Sequence, residues 1–366
     1  DEPSIWHSGG SPFVPPQSLG FRHYQLLRSG SNGQPIETSH LVLTGVCRLT
    51  LPVHAQTTPL LIVVNQGDKD ISLADAASEQ QIATIPEGVT AMHGHEAAAS
   101  PDGRIAYVPI YGNVGVGKPG LNGHEMLVID LPSRKIIGHV DFGHGVRPHC
   151  VIYNQHDGLL YVTTELDQDV TLVDPHTLKI VGTIPTGQQQ SHMLAISPDG
   201  SRGYTANVGP GTVSVLDIKA RKTLAIIPIS HETQRISVSN DGSMAFTSDQ
   251  TQPRLAVIDT ATNKVKAWVP LPGTGYGTAP TKDGNSLLVA IPGRNLVAVV
   301  DLAALKVVNT IPVPSAPQEI LVRPDGKIAY VSCNVKNQIA VIDLSDWKVQ
   351  KLINVGAGAD GLAWAQ

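Results

Sequence analysis

Short β-rich apolar runs, separated by turn residues, fill the chain from residue 58 onward. A turn tetrapeptide sets the rhythm: Ser100-Pro101-Asp102-Gly103, Ser197-Pro198-Asp199-Gly200, Ser239-Asn240-Asp241-Gly242, Thr281-Lys282-Asp283-Gly284 and Arg323-Pro324-Asp325-Gly326. Gln155-His156-Asp157-Gly158 is a relative one residue longer. From Gly158 to Gly326 the turn glycines stand 42 residues apart, whereas Gly103 and Gly158 are separated by 55, which marks an insertion. Asp-Gly suits a tight hairpin because Gly accepts positive φ without a Cβ clash. Each turn leads into an apolar run such as Tyr161-Val162-Thr163, then a strand ending in Asp130, Asp174, Asp217, Asp259, Asp301 or Asp343, then a run opened by Lys. With the short strand ahead of the turn, the unit has four strands, and four strands at this period match a propeller blade.

Six units are complete. Leu60–Ile85 supplies three strands of a seventh, and Gly361–Ala365 supplies its missing first strand. The expected fold is therefore all-β: a seven-bladed β-propeller with four-stranded blades, its ring closed by the C-terminal strand joining the N-terminal blade. Such closure leaves no open edge to the ring. The recurring Asp residues are read as caps of turns on the face away from the candidate site.

Residues 1–57 differ in character. They are polar and rich in Gly, Ser and Pro up to residue 39, and then carry a short apolar run ending in Val53-His54-Ala55, close to a small-x-small cleavage pattern. The reading is a leader or signal-like, poorly ordered segment ahead of a propeller at 58–366, and a periplasmic or secreted protein. No apolar run is long enough to span a membrane as a helix. The net charge of −5, with Lys and Arg scattered singly, gives no basic stripe for nucleic acid. Three cysteines (Cys47, Cys150 and Cys333) form neither a disulfide framework nor a zinc motif. No GxSxG elbow, P-loop or regular WD dipeptide occurs, so no nucleotide cofactor is expected. The expected protein is a monomer.

The turns, together with Tyr161-Val162-Thr163 and Tyr204-Thr205-Ala206-Asn207, resemble the YVTN family of seven-bladed propeller repeat proteins over residues 58–366. Distant relatives implied by that resemblance include surface-layer and periplasmic proteins, DNA binders, sugar lactonases and muconate cycloisomerases. The resemblance implies the fold and does not choose a function.

The candidate chemistry comes from aligning the residue that opens each inner strand. The ring reads His95, His149, His192, Gln234, Tyr276, Gln318 and Asp360. Histidines on three consecutive blades can converge near the axis as ligands of a divalent metal ion, with a position left open for water or substrate. The ends of the second strands place Asn65, Tyr111, Glu165, Asn207, Asp249 and Asn334 on the same face. Glu165 is the candidate general base, with Glu96 as a further carboxylate. Arg235 and Tyr276 are candidates to hold an anion or a developing oxyanion, and a channel salt bridge from Arg235 to Glu96 or Glu319 is the alternative. The insertion, Gly112–Glu125, is read as a lid. The expected ligand is a small molecule or small anion at the channel mouth. Three functions fit: a metal-dependent enzyme of lactonase or lyase type, a non-catalytic binding or scaffold propeller, and a copper or redox protein using Met193 and Cys150 as well.

Overall fold

A computed structural model describes residues 58–366. They form seven antiparallel four-stranded sheets arranged as blades around a ring, one blade having its inner strand in two pieces. Blade 1 pairs Leu60–Asn65, Asp70–Asp75 and Gln80–Pro86 with Ala359–Ala365. Blades 2 to 7 follow in chain order, running from His93–Asp141, Pro148–Pro185, Ser191–Pro228, Ser237–Pro270, Thr278–Pro312 and Pro317–Asn354. Closure is antiparallel, with Leu60 opposite Ala365 and Val63 opposite Leu362.

The burial pattern explains why the repeat is so visible. Each blade is sandwiched between two others, so both faces of its middle strands are covered. The second and third strands of blade 3, Leu159–Thr164 and Asp169–Asp174, are buried at every interior position, and they read as continuous apolar runs rather than alternating ones. The outermost strands, such as Lys222–Pro228, alternate because one face meets solvent. Every blade carries a bulge at the same place in its outer pair, for example between Leu172 and Val173 or Val215 and Leu216. A bulge adds local twist, and here it recurs at the rim of every blade.

The Asp-Gly turns follow one design. In the turn at residue 200, Gly200 N–H donates to the Ser197 carbonyl at 2.8 Å. Ser197 Oγ donates to Asp199 Oδ1 at 2.6 Å, and Gly200 sits at φ 70°. The strand-ending Asp residues cap the next turn, as expected: Asp130 accepts from Ser133 N–H at 2.8 Å and Asp217 from Ala220 N–H at 2.8 Å.

The insertion in blade 2 is partly taken up as structure. Its flanking strands, Ile105–Gly112 and Asn122–Asp130, run longer than their counterparts in the other blades, leaving residues 113–121 as the loop. Cys150 and Cys333 are buried free thiols. The leader reading and Cys47 lie outside the described residues. Among those residues, no helix is long and apolar enough to cross a membrane.

Candidate functional site

The inner strands bring the three ring histidines together. His149 opens Pro148–Asn154 and His192 opens Ser191–Ile196, while His95 lies in the break between the two short inner pieces of blade 2. The ring centroids of His95 and His149 are 4.9 Å apart, and those of His149 and His192 are 3.6 Å apart. His93 lies beside them, 4.9 Å from His95. His149 and His192 are 1 % and 3 % exposed. Burial, then the neighbouring charges of His192, His95 and Arg235, hold His149 well below the usual imidazole range; His192 is lowered by burial and Arg235. Both rings are therefore neutral at physiological pH.

In the three ring histidines four buried nitrogens have no hydrogen-bond partner among the described residues, His95 Nε2, His149 Nδ1, His149 Nε2 and His192 Nδ1, and His93 Nδ1 beside them is a fifth. The other nitrogen of His95 is engaged, with Asp360 Oδ2 at 3.3 Å and the Gln66 amide at 2.8 Å. A carboxylate on one imidazole nitrogen is the arrangement that fixes the tautomer and orients the opposite lone pair. The rings of His149 and His192 nevertheless lie tilted over one another at 35°. Among the described residues no three His, Cys, Asp or Glu side chains stand as a finished metal-ligand set, so coordination requires rotation of these side chains.

The remaining predicted residues divide into two groups. Arg235, 3 % exposed, meets Glu96 Oε1 at 2.5 Å, Glu319 Oε2 at 3.2 Å and Asp360 Oδ1 at 3.0 Å. Tyr276 packs on it, with Arg235 Cζ 5.0 Å from the ring centroid. One cation therefore faces three carboxylates. Burial, opposed by Arg235 and reinforced by Glu319, holds the Glu96 carboxyl well above the usual range. For Asp360 burial acts upward, but hydrogen bonding from His95 and the charge of Arg235 outweigh it, and its carboxyl is lowered. This is the salt-bridge arrangement, and an incoming anion would have to compete with all three carboxylates for Arg235.

Glu165 lies on the other side of the histidines. It is 2 % exposed, accepts from the Tyr111 hydroxyl through Oε2, and accepts from Gly117 N–H through Oε1 at 3.3 Å. The sequence marks Tyr111 only as a strand end. It is fully buried, and its ring stands 4.9, 5.3 and 6.1 Å from those of His95, His149 and His192. Burial and then the Glu165 carboxylate raise its phenol far above the usual range. Tyr111 thus joins the histidines to Glu165. Asn65, Asn207 and Asp249 instead bind their own hairpins, Asn207 through Ser214 Oγ at 2.9 Å and Asp249 through Arg254 at 2.9 Å. Neither sulfur joins the cluster: the Cys150 thiol faces the Leu194 carbonyl at 3.7 Å, and Met193 Sδ lies 3.6 Å from Arg235 Nη1.

Sequence reasoning misses Arg147. It stands two residues before His149, and aligning that position around the ring singles it out beside His93, Gln190, Glu232, Thr274, Ala316 and Gly358. The insertion loop docks on it: Arg147 Nη2 donates to the Lys118 carbonyl at 2.7 Å, and Nε donates to Asn122 Oδ1 at 2.8 Å. Loop, Arg147 and Glu165 enclose a cleft of about 590 Å³.

A family model described as YNCE-like beta-propeller matches residues 273–365. No curated protein matches the sequence. Among solved structures, hydrazine synthase of Kuenenia stuttgartiensis superposes with a TM-score of 0.66 at 20 % identity, over 78 % of this chain and 92 % of that one. A functionally unknown protein from Desulfotomaculum acetoxidans DSM 771 superposes with a TM-score of 0.68 at 16 % identity, over 84 % and 99 %. At such identities the likeness concerns fold alone. The chain is a seven-bladed β-propeller whose residues 273–365 match the YNCE-like model, a match consistent with the YVTN-type repeat family.

Proposed function

We propose that this propeller binds a divalent transition-metal ion through His95, His149 and His192, and uses it in hydrolytic or lyase-type chemistry on a small polar molecule. One observation carries the reading: four imidazole nitrogens without partners among the described residues are buried together. A buried polar atom without a partner costs about 1–3 kcal/mol, and a metal ion would engage several at once. The Asp360 carboxylate beside His95 supports it: in the tautomer with the proton on Nδ1, facing that carboxylate, Nε2 is left for an ion. Bound there, a divalent ion would polarise a carbonyl or lower the pKa of water. Glu165 is the protein's acid–base group in this reading, reaching the cluster through Tyr111 and the solvent through the cleft.

A second reading, a binding or scaffold propeller without chemistry, draws support from the closely packed, tilted His149 and His192 rings and from the carboxylates gathered on Arg235.

Elemental analysis of untagged protein, followed by calorimetric titration of chelator-treated protein with zinc, separates the two. The expected result is about one equivalent per chain, lost in His95→Ala and His192→Ala variants whose melting temperatures without metal match the parent. At a free zinc concentration 100 times Kd, the parent should gain about 2.7 kcal/mol of stability. Stoichiometric binding that survives both substitutions, or no binding at all, removes the metal reading.

A further inference from the structure

We propose that the cleft beneath the insertion loop is a separate binding site for a small hydroxylated carboxylate, with Arg147 and Lys118 as its charged contacts. The inference goes beyond the metal reading and does not need an ion at the histidines.

The cleft is lined by Gly117, Lys118, Asn122, Arg147, Glu165 and Gln190, with Gln168 and Gln189 beside them. Its volume, about 590 Å³, lies within the usual range of ligand pockets. Its charge is unbalanced: two cations, Lys118 and Arg147, face one carboxylate, Glu165. Glu165 and Arg147 form a buried ion pair, so the net positive charge of the cleft is that of Lys118. Arg147 Nη1 stands 3.6 Å from Glu165 Oε1, beyond hydrogen-bond distance, while Glu165 is already served by the Tyr111 hydroxyl and Gly117 N–H.

Arg147 is also held ready. Its side chain is 5 % exposed, with Nε and Nη2 fixed by Asn122 and Lys118, so the plane of the guanidinium is set and Nη1 keeps donor capacity for a ligand. A fixed guanidinium suits a planar carboxylate, with little side-chain freedom left to lose on binding. The excess of one positive charge favours a monoanion; a phosphate dianion would leave uncompensated negative charge close to Glu165. The other polar side chains of the lining are amides, from Asn122, Gln168, Gln189 and Gln190, beside Pro119, Gly120 and Leu166. Amides both donate and accept, which suits ligand hydroxyl groups. Arg147 and the Lys118 backbone also tie the loop to the blade, so the same arginine that meets the ligand holds the roof of the cleft.

Calorimetric titration with D-gluconate tests this, using D-glucose and inorganic phosphate as comparison probes on full-length chelator-treated protein. Gluconate should bind saturably, at least tenfold more tightly than either comparison probe. Lys118→Glu, an exposed change that leaves the melting temperature unchanged, should weaken gluconate at least tenfold, as should Arg147→Lys. Gluconate binding no tighter than glucose or phosphate, or unaffected by Lys118→Glu, overturns the proposal. Binding seen only after zinc is added assigns the ligand to the histidines and overturns it too. Failure of the zinc experiment with gluconate binding intact removes only the metal reading.

Discussion

Glu87 shows how much a single buried carboxyl can reveal. It is 1 % exposed, accepts from Gly94 N–H at 3.0 Å, and leaves Oε2 without a partner among the described residues. Burial pushes it from 4.5 to about 7, opposed in part by the Gly94 hydrogen bond. Because its folded value is the higher one, the folded chain keeps a proton between these limits that the unfolded chain has released. The stabilisation is complete below pH 4.5 and is lost as pH rises through about 7, amounting to about 3 kcal/mol. Glu87→Gln keeps an oxygen acceptor for Gly94 and removes the titration. Urea unfolding at pH 5 and pH 8 should show the variant gaining on the parent by about that amount; identical pH dependence in the two proteins would refute the assignment. At this scale the sequence is least informative. The ring position of His95 can be counted from the turn glycine, but whether its nitrogens find partners depends on rotamers and on Asp360, more than 260 residues away. Tyr111 and Arg147 gain their roles only through contacts with Glu165 and the loop, which no local pattern records.

The blade is legible for the opposite reason: its determinants are local and repeated. Hairpin turns, apolar middle strands and Lys-led outer strands recur in the six complete units, so each of these checks the next. The turn glycines still differ in what surrounds them. A methyl group added at Gly284, φ 74°, would meet open space, so Gly284→Ala should cost only the left-handed backbone penalty of about 1 kcal/mol. At Gly103, φ 66°, a Cβ would stand 2.6 Å from the backbone of Gln366. Gly103→Ala should therefore lose clearly more stability than Gly284→Ala in parallel denaturant titrations, with equal losses counting against a tight contact between this turn and the C-terminal strand.

Across the whole molecule, Arg235 is the common partner of distant blades. It comes from blade 5 and meets Glu96 of blade 2, Glu319 of blade 7 and Asp360 of the closing strand. Removing one partner of a buried ion pair typically costs about 3–5 kcal/mol, because the other charges remain buried. Arg235→Ala should lose at least that much in urea unfolding, and Glu96→Gln should lose less, since its carboxyl is already held toward the protonated form. Similar small effects from both would mean that the network contributes little to holding the blades together.

Asp360 has a wider consequence. Its two oxygens touch Gln66 and His95 near one end of the propeller and Arg235 halfway around it, yet it belongs to the last strand. A chain still lacking Ala359–Ala365 would have most of its sheets, and the Gln66 contact, but not the carboxylate beside the His95 imidazole. The buried charge balance of the channel is thereby tied to the final stitch of the circle: Arg235 and His95 meet this carboxylate only in molecules whose closing strand has paired with Leu60–Asn65.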